Sequence, residues 1–334
     1  ANNPTWTSAV MQDYGGDITW VAYGDEPATS GSCGENLTWE FEEETGTLTI
    51  SGTGNMANFT QTDIGDAASY GSTHPWADYI NQIVNVVVTE GVTSIGNNAF
   101  PHCTNLQSIT LPNSLITIGS NAFDDCGKLT SINLPENITA IGRCAFYNCI
   151  SLKSISIPVG VTQINDSLLS GCTNIQEIII PEGVTTISYS AFRGCSSLTH
   201  ITIPNSVTSF GEQAFYGCSS LESIIIPPNV TTMGYYNSFA ECTSLISIEF
   251  RGDCPAMGTD TFVGVTATAY YPASNSTWTS EVMKDYGGDL TWIGYDGDST
   301  YSGLCGDTLN WEYREDTGKL SVSGSGDMYG ADKL

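Results

Sequence analysis

Hydrophobic positions recur about every 23 residues between Ile83 and Phe262. The clearest phrase, Leu-x-x-Ile-x-Ile-Pro, predicts a short strand because its apolar and polar positions alternate. A single strand of this kind cannot bury its apolar face alone, so the repetition predicts a solenoid whose coils cover one another. Copies of the phrase occupy residues 106–112, 129–135, 152–158, 175–181, 198–204 and 221–227, with weaker copies at 83–89 and 245–251.

A second phrase, Asn-Ala-Phe-x-x-Cys, recurs between the strands with the same period. It lacks a run of β-branched residues, and we therefore expect short helical turns on the wall opposite the strands. Its Phe and Cys return in almost every coil, with Leu169 in one Phe slot, so both are predicted to form ladders inside the solenoid. The ladder positions are Phe100, Phe123, Phe146, Phe192 and Phe215, with Cys103, Cys126, Cys149, Cys172, Cys195 and Cys218.

The two phrases resemble the BspA-like (Treponema pallidum-type) leucine-rich repeats found in bacterial surface proteins. The resemblance rests on residues 106–112 and 118–126 with their copies, and it covers about 180 of the 334 residues. Proline follows the strand where the more familiar leucine-rich repeats have asparagine, so the receptor-type subfamilies match less well. We expect a mostly-β fold with short helical turns: a right-handed leucine-rich repeat solenoid of parallel β, about eight coils of 23 residues, with a β-hairpin N-cap and a helix–strand C-cap.

The segments that flank the solenoid repeat each other at an offset of 272 residues, from Trp6 and Trp278 to Met56 and Met328. The simplest interpretation is an excerpt from a tandem array, whose secreted parent would carry the signal peptide and anchor that this sequence lacks. Within the caps we predict a hairpin at 37–51, a short helix at 75–82 and another around Trp278. The predicted units are 1–29, the orphan C-cap of a preceding unit; 30–75, the N-terminal β-hairpin cap and loop; 76–266, the solenoid; 267–304, the C-terminal cap; and 305–334, the opening hairpin of the next unit.

Charge and cysteine usage narrow the function classes. The chain carries 36 acidic and 9 basic residues, a net charge of −27, which opposes binding to nucleic acid or to an anionic membrane. Seven of the 11 cysteines share one repeat position beside a Phe, which favours buried thiols over disulfides. No Cys-x-x-Cys occurs and there are only three His, so the sequence predicts neither a metal site nor a cofactor.

A dinucleotide-type glycine motif at residues 52–57 does not predict an enzyme. Such a motif needs a following helix in a βαβ unit, whereas here a hairpin strand precedes it and a loop follows. His200 and Glu177 lie on neighbouring coils, where a surface ion pair is favoured over a catalytic dyad. We therefore predict a protein that is not an enzyme.

Binding is predicted on the outward positions of the strands, where larger and mixed side chains gather in the middle coils. The candidate residues there are Lys153, Gln176, Glu177, Thr199, His200 and Glu222. Aromatic side chains, which are enriched at binding hot spots, lie instead near the turn wall, which forms the alternative binding wall. Its residues are Tyr147, Tyr189, Tyr216 and Tyr235, with Tyr236 beside them.

These observations favour a non-enzymatic recognition or adhesion module that binds a macromolecular partner through the solenoid surface. The resemblance implies a secreted protein of the bacterial cell surface and a host extracellular protein or glycoprotein as partner. Nucleic-acid binding and membrane insertion of this segment are not expected. Two alternatives stay open at this stage: a structural spacer in a tandem surface protein, and a carbohydrate-binding module that uses the tyrosine wall. The oligomeric state is not predicted.

Overall fold

The computed structural model describes residues 28–63, 70–72, 74–295, 300–304, 309–314 and 319–324. Parallel strands stack into a β-solenoid of about nine turns with about 23 residues each, which confirms the predicted mostly-β repeat fold. Among the described residues the only helix is a 3-10 turn at Ala77–Tyr79, inside the segment predicted to be a short helix. Within the same residues no helix is long and apolar enough to cross a bilayer.

The N-terminal strands are β1 (Ser30–Gly34), β2 (Leu37–Glu42), β3 (Thr47–Gly52), β4 (Gly54–Asn55), β5 (Gln61–Asp63) and β6 (Tyr70–Ser72). The solenoid strands are β7 (Asn85–Val88), β8 (Val92–Ile95), β9 (Ser108–Thr110), β10 (Thr117–Ile118), β11 (Ala140–Ile141), β12 (Ser154–Ser156), β13 (Gln163–Ile164), β14 (Glu177–Ile179), β15 (Thr186–Ile187), β16 (Ser209–Phe210), β17 (Ser223–Ile226), β18 (Thr232–Met233), β19 (Ser247–Phe250), β20 (Thr266–Pro272) and β21 (Asp289–Tyr295). The last strands are β22 (Thr300–Leu304), β23 (Leu309–Arg314) and β24 (Lys319–Gly324).

The main wall of the solenoid consists of the predicted strands in parallel register. Ser154 pairs with Glu177 and Ile155 with Ile178, one repeat apart, so inward residues stack on inward residues. The hairpin β2–β3 extends this wall, because β3 runs parallel to β7. The strand pairing is interrupted at residues 129–135 and 198–204, where the structure assigns no strand. The coils still bond there, as Lys153 N–H donates to the carbonyl of Thr130 at 3.2 Å.

A second parallel wall joins β8, β10 and β11, and further along β13, β15, β16 and β18. The sequence analysis assigned no strand to these segments. Their pairing follows the same repeat, since Thr117 lies opposite Ser94 on one side and Ala140 on the other. Each strand places one apolar residue inside, such as Ile118 and Ile141, which are buried. Most coils therefore have two short strands joined by turns.

The turn wall is not helical, and the prediction of short helical turns was wrong. Most turns of this wall contain two left-handed residues four positions apart, such as Asn98 (φ 51°) and His102 (φ 56°), and this conformation interrupts any helical run. The backbone N–H groups instead bond to the next coil. Phe100 N–H donates to the carbonyl of Ala122 at 2.9 Å, and His102 N–H to that of Asp124 at 2.7 Å. The turn wall is therefore held by hydrogen bonds between coils.

Every Phe and Cys of the two predicted ladders is fully buried in the interior. The rings of Phe100 and Phe123 stack at 5.6 Å, and those of Phe123 and Phe146 at 5.5 Å. Each ladder thiol from Cys126 to Cys242 donates to a backbone carbonyl of the preceding coil at 3.1–3.4 Å. The ten cysteines among the described residues are free thiols. Burial raises the pKa of each of these thiols, and it raises that of Cys172 to about 12.

Aromatic side chains close the N-terminal end of the interior. Trp76 stacks on Phe100 at 5.5 Å and contacts Trp39 edge-on at 6.0 Å. The Trp76 indole N–H donates to the carbonyl of Ala99 at 2.9 Å, which fixes the ring over the first coil. Tyr79 packs against Phe41 of the hairpin at 4.5 Å. The hairpin and the 3-10 turn thus cover the first coil.

At the C-terminal end, β20 and β21 pair in parallel from Thr266 and Asp289 onward, so the cap continues the coil period. The helix predicted around Trp278 is absent, and residues 273–288 form turns and bends. The N–H groups of Val282 and Met283 both donate to the carbonyl of Thr279, which closes a single turn that does not propagate. Trp278 packs on Phe250 at 4.8 Å and covers the last coils.

The 272-residue sequence repeat extends to the backbone pairing. Leu37 lies opposite Gly52 in β2–β3, and Leu309 lies opposite Gly324 in β23–β24, in the same antiparallel register. The predicted orphan cap at 1–29 lies almost entirely outside the described residues, as do parts of 305–334. The tandem origin of the chain stays a prediction.

Candidate functional site

The main wall of the solenoid, here called the strand wall, presents the predicted binding residues on one exposed face. All six candidates are exposed: Lys153, Gln176, Glu177, Thr199, His200 and Glu222. Backbone bonds align them coil to coil, because Gln176 N–H donates to the carbonyl of Lys153 at 2.8 Å and Glu222 N–H to that of Thr199 at 3.1 Å. With about 4.8 Å between neighbouring strands, the row from Lys153 to Glu222 spans roughly 14 Å.

His200 does not form the ion pair expected with Glu177 among the residues that the structure describes. Its Nδ1 lies 3.0 Å from the Thr199 hydroxyl, the adjacent residue on the same coil. Both side chains are exposed, and within the described part of the chain no acidic side chain bonds to this imidazole. The arrangement suits a surface contact rather than nucleophilic catalysis.

Exposed isoleucines interrupt the polar strand face. Ile179 of β14 is 51% exposed and Ile246, just before β19, is 67% exposed. Ile225 of β17 is exposed as well, on the coils between them. Thr110 and Thr202 occupy the same coil position as Ile179 and Ile225, so the solenoid does not require an apolar residue there. The strand alternation predicts that these isoleucines point outward. The parallel register of the coils shows that they are exposed.

The tyrosine wall contains both exposed and half-buried rings. Tyr235 is 71% exposed, and Tyr189 and Tyr236 are also exposed, whereas Tyr147 and Tyr216 are half-buried. The guanidinium of Arg193 lies 5.2 Å from the ring centre of Tyr216, within cation–π range. Inter-coil bonds to the carbonyls of Tyr189, Glu212 and Tyr236 place these residues on consecutive coils.

A polar groove of about 270 Å³ lies where the N-terminal cap meets the second wall. Its lining includes the amides of Asn55, Asn58 and Asn97 with the hydroxyls of Ser94 and Thr117. Asn58 Oδ1 accepts the backbone N–H of Asn97 at 2.8 Å, and Asn97 Oδ1 accepts that of Ser120 at 2.7 Å. These amides therefore serve coil stacking.

One cluster of titratable residues escaped the sequence analysis. His102, Asp124 and Asp125 each offer a ligand atom, and these three atoms all lie within 4.8 Å of one another. His102 Nδ1 is 3.0 Å from Asp125 Oδ2. Burial raises the pKa of Asp124 to about 7, and the adjacent Asp125 carboxylate adds to the rise. The available signal was the spacing, because His102 and Asp125 are one repeat apart.

His74 lies on the N-terminal side of this cluster, packed against Trp76 at 5.8 Å and Phe59 at 6.2 Å. Burial, together with a smaller effect of the nearby His102, lowers its pKa from 6.5 to about 4. His74 is therefore a neutral ring of the aromatic cap at neutral pH.

Solved bacterial structures resemble this chain. A leucine-rich repeat protein of T. pallidum is 26% identical over 55% of this chain and 86% of its own, with a TM-score of 0.43. One from Bacteroides ovatus is 23% identical over 78% and 76%, with a TM-score of 0.48. A leucine-rich cell surface protein of Faecalibacterium prausnitzii is 19% identical over 66% and 94%, with a TM-score of 0.31.

No curated protein matches the sequence. The family described as BspA type leucine rich repeat region (6 copies) matches residues 78–197 and 169–281. Together these matches cover residues 78–281, more than half of the chain, and they include every coil that carries the strand row, the tyrosine wall and the His102 cluster. By this match, the chain belongs to the family of BspA type leucine-rich repeat proteins.

Proposed function

We propose that this chain is a non-enzymatic recognition module of a bacterial cell surface that binds a protein or glycoprotein through its strand face. The observation that carries the proposal is the group of exposed isoleucines, Ile179, Ile225 and Ile246, within a charged and hydroxyl-bearing row. Exposed apolar side chains rimmed by polar ones are typical of protein interaction sites. A cell-surface location is supported by the family and by the similarity to the leucine-rich cell surface protein of F. prausnitzii.

The charge pattern of the row indicates the chemistry of the partner. Lys153 lies at one end and Glu177 and Glu222 lie further along, so the face has a basic end and an acidic end. With a net charge of −27 on the whole chain, a partner with basic groups opposite the two glutamates would be attracted over a longer range. We therefore favour an extracellular protein with a basic patch as the partner.

The test is a binding assay with immobilised extracellular matrix proteins and mucin. The double change Ile179→Thr with Ile225→Thr removes apolar contact area while keeping a residue that the same coil position already accepts at Thr110 and Thr202. The matched control is Val159→Thr, a change at an exposed turn away from the strand face. We expect at least a tenfold loss of affinity in the double variant and none in the control. Equal affinity of all three proteins would refute the strand face as the site.

Charge reversal provides a second, independent test of the same face. Lys153→Glu with Glu177→Lys leaves the net charge unchanged but reverses the local pattern. Lys128→Glu with Glu182→Lys is the matched control, because both residues are exposed on turns outside the row. Weaker binding in the first pair alone supports the proposal, and equal weakening in both would show that only overall electrostatics matter.

Carbohydrate binding on the tyrosine wall is the second candidate function. It is favoured by the exposed Tyr189 and Tyr236 on nearly adjacent coils, with the carboxylate of Glu212 on the coil between them. Exposed aromatic rings suit stacking on sugar faces, with the carboxylate accepting hydroxyl bonds. Glycan-array binding that disappears in Tyr189→Ala and Tyr236→Ala, but persists in the isoleucine variant, would support this function. A chain without any measurable ligand would instead support the spacer role.

A further inference from the structure

His102 and Asp125 extend from the same position in two consecutive coils. Both residues are left-handed with φ of 56°, so their side chains leave the turn wall in the same direction. The resulting contact between His102 Nδ1 and Asp125 Oδ2 is 3.0 Å. The side chains are 22% and 37% exposed, respectively, so the pair sits at the rim of the wall with room for water on one side.

Asp124, the residue before Asp125, is the third member of the cluster. Its carbonyl accepts the N–H of His102 at 2.7 Å, which fixes the coil bearing His102 directly beside it. Its Oδ1 is closed to solvent and has no hydrogen-bond partner. A buried carboxylate oxygen without a partner is costly, and it lies next to a second carboxylate that repels it. A bound cation would remove both penalties at once.

We propose that His102, Asp124 and Asp125 bind one divalent transition-metal ion, with Zn²⁺ the best-suited ion. An imidazole nitrogen with two carboxylate oxygens is a ligand set suited to borderline metals, whereas Ca²⁺ and Mg²⁺ prefer oxygen alone. Ligand atoms around tetrahedral Zn²⁺ lie about 2.0–2.2 Å from the ion. The three ligand atoms lie within 4.8 Å of one another, close enough to contact one ion together. The half-exposed rim leaves the remaining coordination position to water.

The other coils show that stacking does not require these residues. The position of His102 and Asp125 is taken further along by Asn148, Gly171, Gly194, Gly217 and Glu241. Among the described groups of His, Cys, Asp and Glu, this cluster is the one whose ligand atoms converge. A metal here would cross-link two coils beside the N-terminal cap. This inference does not depend on the proposed binding function.

The experiment is isothermal titration of the full chain with ZnCl₂, followed by titrations with CaCl₂ and MgCl₂. We expect one Zn²⁺ per chain, and a rise in the thermal midpoint, because an ion that binds only the folded state stabilises it. His102→Asn and Asp125→Asn should each weaken Zn²⁺ binding more than about tenfold, since even a residue that only supports a ligand contributes that much. Asparagine tolerates the left-handed conformation and already stands at Asn148, so both variants should fold.

Two further variants separate a site from general acidity. Asp124→Asn should weaken binding like the other two changes. The matched control His200→Asn removes an exposed imidazole from the strand face and should bind Zn²⁺ as the unchanged chain does. The absence of saturable Zn²⁺ binding would overturn the proposal. So would equal Zn²⁺ affinity in His102→Asn and His200→Asn, or Ca²⁺ binding that Zn²⁺ fails to displace.

Discussion

Replacing Phe123 by Ala tests whether the aromatic ladder holds the solenoid together. Phe123 is fully buried between two other ladder rings. Its ring centre lies 5.6 Å from that of Phe100 at an interplanar angle of 19°, and 5.5 Å from that of Phe146 at 5°. The change therefore opens a cavity in the centre of three coils, and each neighbouring ring loses a stacking partner.

The expected cost follows from area and packing. A buried Phe removes at least about 150 Å² from water, and at about 25 cal/mol per Å² this contributes about 4 kcal/mol. Alanine retains a small part of that area, but the cavity adds a cost of its own, so the net loss should be about 3–5 kcal/mol. Phe123→Leu should cost less because leucine fills most of the volume, as Leu169 does in the same slot. For Phe123→Leu the remaining loss in the free energy of unfolding is that of ring stacking, about 0.5–1.5 kcal/mol per pair.

Urea unfolding followed by circular dichroism and by tryptophan fluorescence measures these losses. Two probes are needed because repeat arrays can unfold in parts. The tryptophans that the structure describes lie near the two ends, so their fluorescence reports mainly on the caps. Ile246→Ala, at an exposed position, is the control and should change the free energy of unfolding by less than about 0.5 kcal/mol. A loss below about 1 kcal/mol for Phe123→Ala would show that the ladder is not the core.

Three further predictions concern thiols, backbone conformation and pH. In the native state a thiol reagent should leave the ladder cysteines unmodified until urea unfolds the chain, while the half-buried Cys254, whose pKa is raised to about 11, should react faster as the pH rises toward that value. Asn98→Ala should lower the free energy of unfolding in urea by about 1–2 kcal/mol, because alanine disfavours the left-handed conformation and the hydrogen bond from the Asn98 side-chain amide to the Phe59 carbonyl is lost. An unchanged urea midpoint would contradict this. Burial lowers the pKa of His74 from 6.5 to about 4, so the unfolded state binds more protons than the folded state between these pH values. The free energy of unfolding therefore decreases as the pH falls through that window. Relative to His74→Phe, the unchanged chain should lose up to about 3 kcal/mol more between pH 7 and pH 4, a difference that thermal melts at each pH will reveal.

The fold could be predicted because one pattern repeats with the same meaning in each copy. Ile109 and Leu111 set the two-residue period of a strand, and the return of that period 23 residues later implies parallel stacking. Phe146 and Cys149 recur beside each other for the same reason, and both are buried as expected. Repetition thus compensated for the weakness of any single short strand signal.

The turn wall could not be predicted, because its hydrogen bonds join different coils. Asn-Ala-Phe has the composition of a helical turn, but the Phe100 N–H bonds to Ala122 in the next coil instead of to its own turn. Asn98 and His102 adopt left-handed conformations, and their N–H groups bond to the next coil. A local propensity argument considers one coil at a time and therefore favours the helix. The turns around Trp278 differ from the predicted helix for a related reason, since the indole packs on Phe250 and the chain follows the coil period.

The candidate surface was only partly predictable. Outward positions such as Lys153 and Gln176 follow directly from the strand alternation and the repeat, and the structure places them in one row. Which of those positions bind cannot be read from the pattern, because binding depends on a partner that the repeat does not encode. The His102–Asp125 contact follows from the 23-residue spacing, but no local metal motif in the sequence indicates it.

Stacking also determines how new chemistry can arise in this fold. Inward residues such as Phe123 are constrained by rings on both sides, so changes there cost stability. Outward residues meet their counterparts one repeat away at about 4.8 Å, whatever their type, because the backbone bonds between coils set the spacing. A single substitution at an outward position can therefore create a pair, as His102 does beside Asp125, without altering the coil. The glycines at the same position in later coils, such as Gly171, show that the backbone geometry is retained when the side chain is removed.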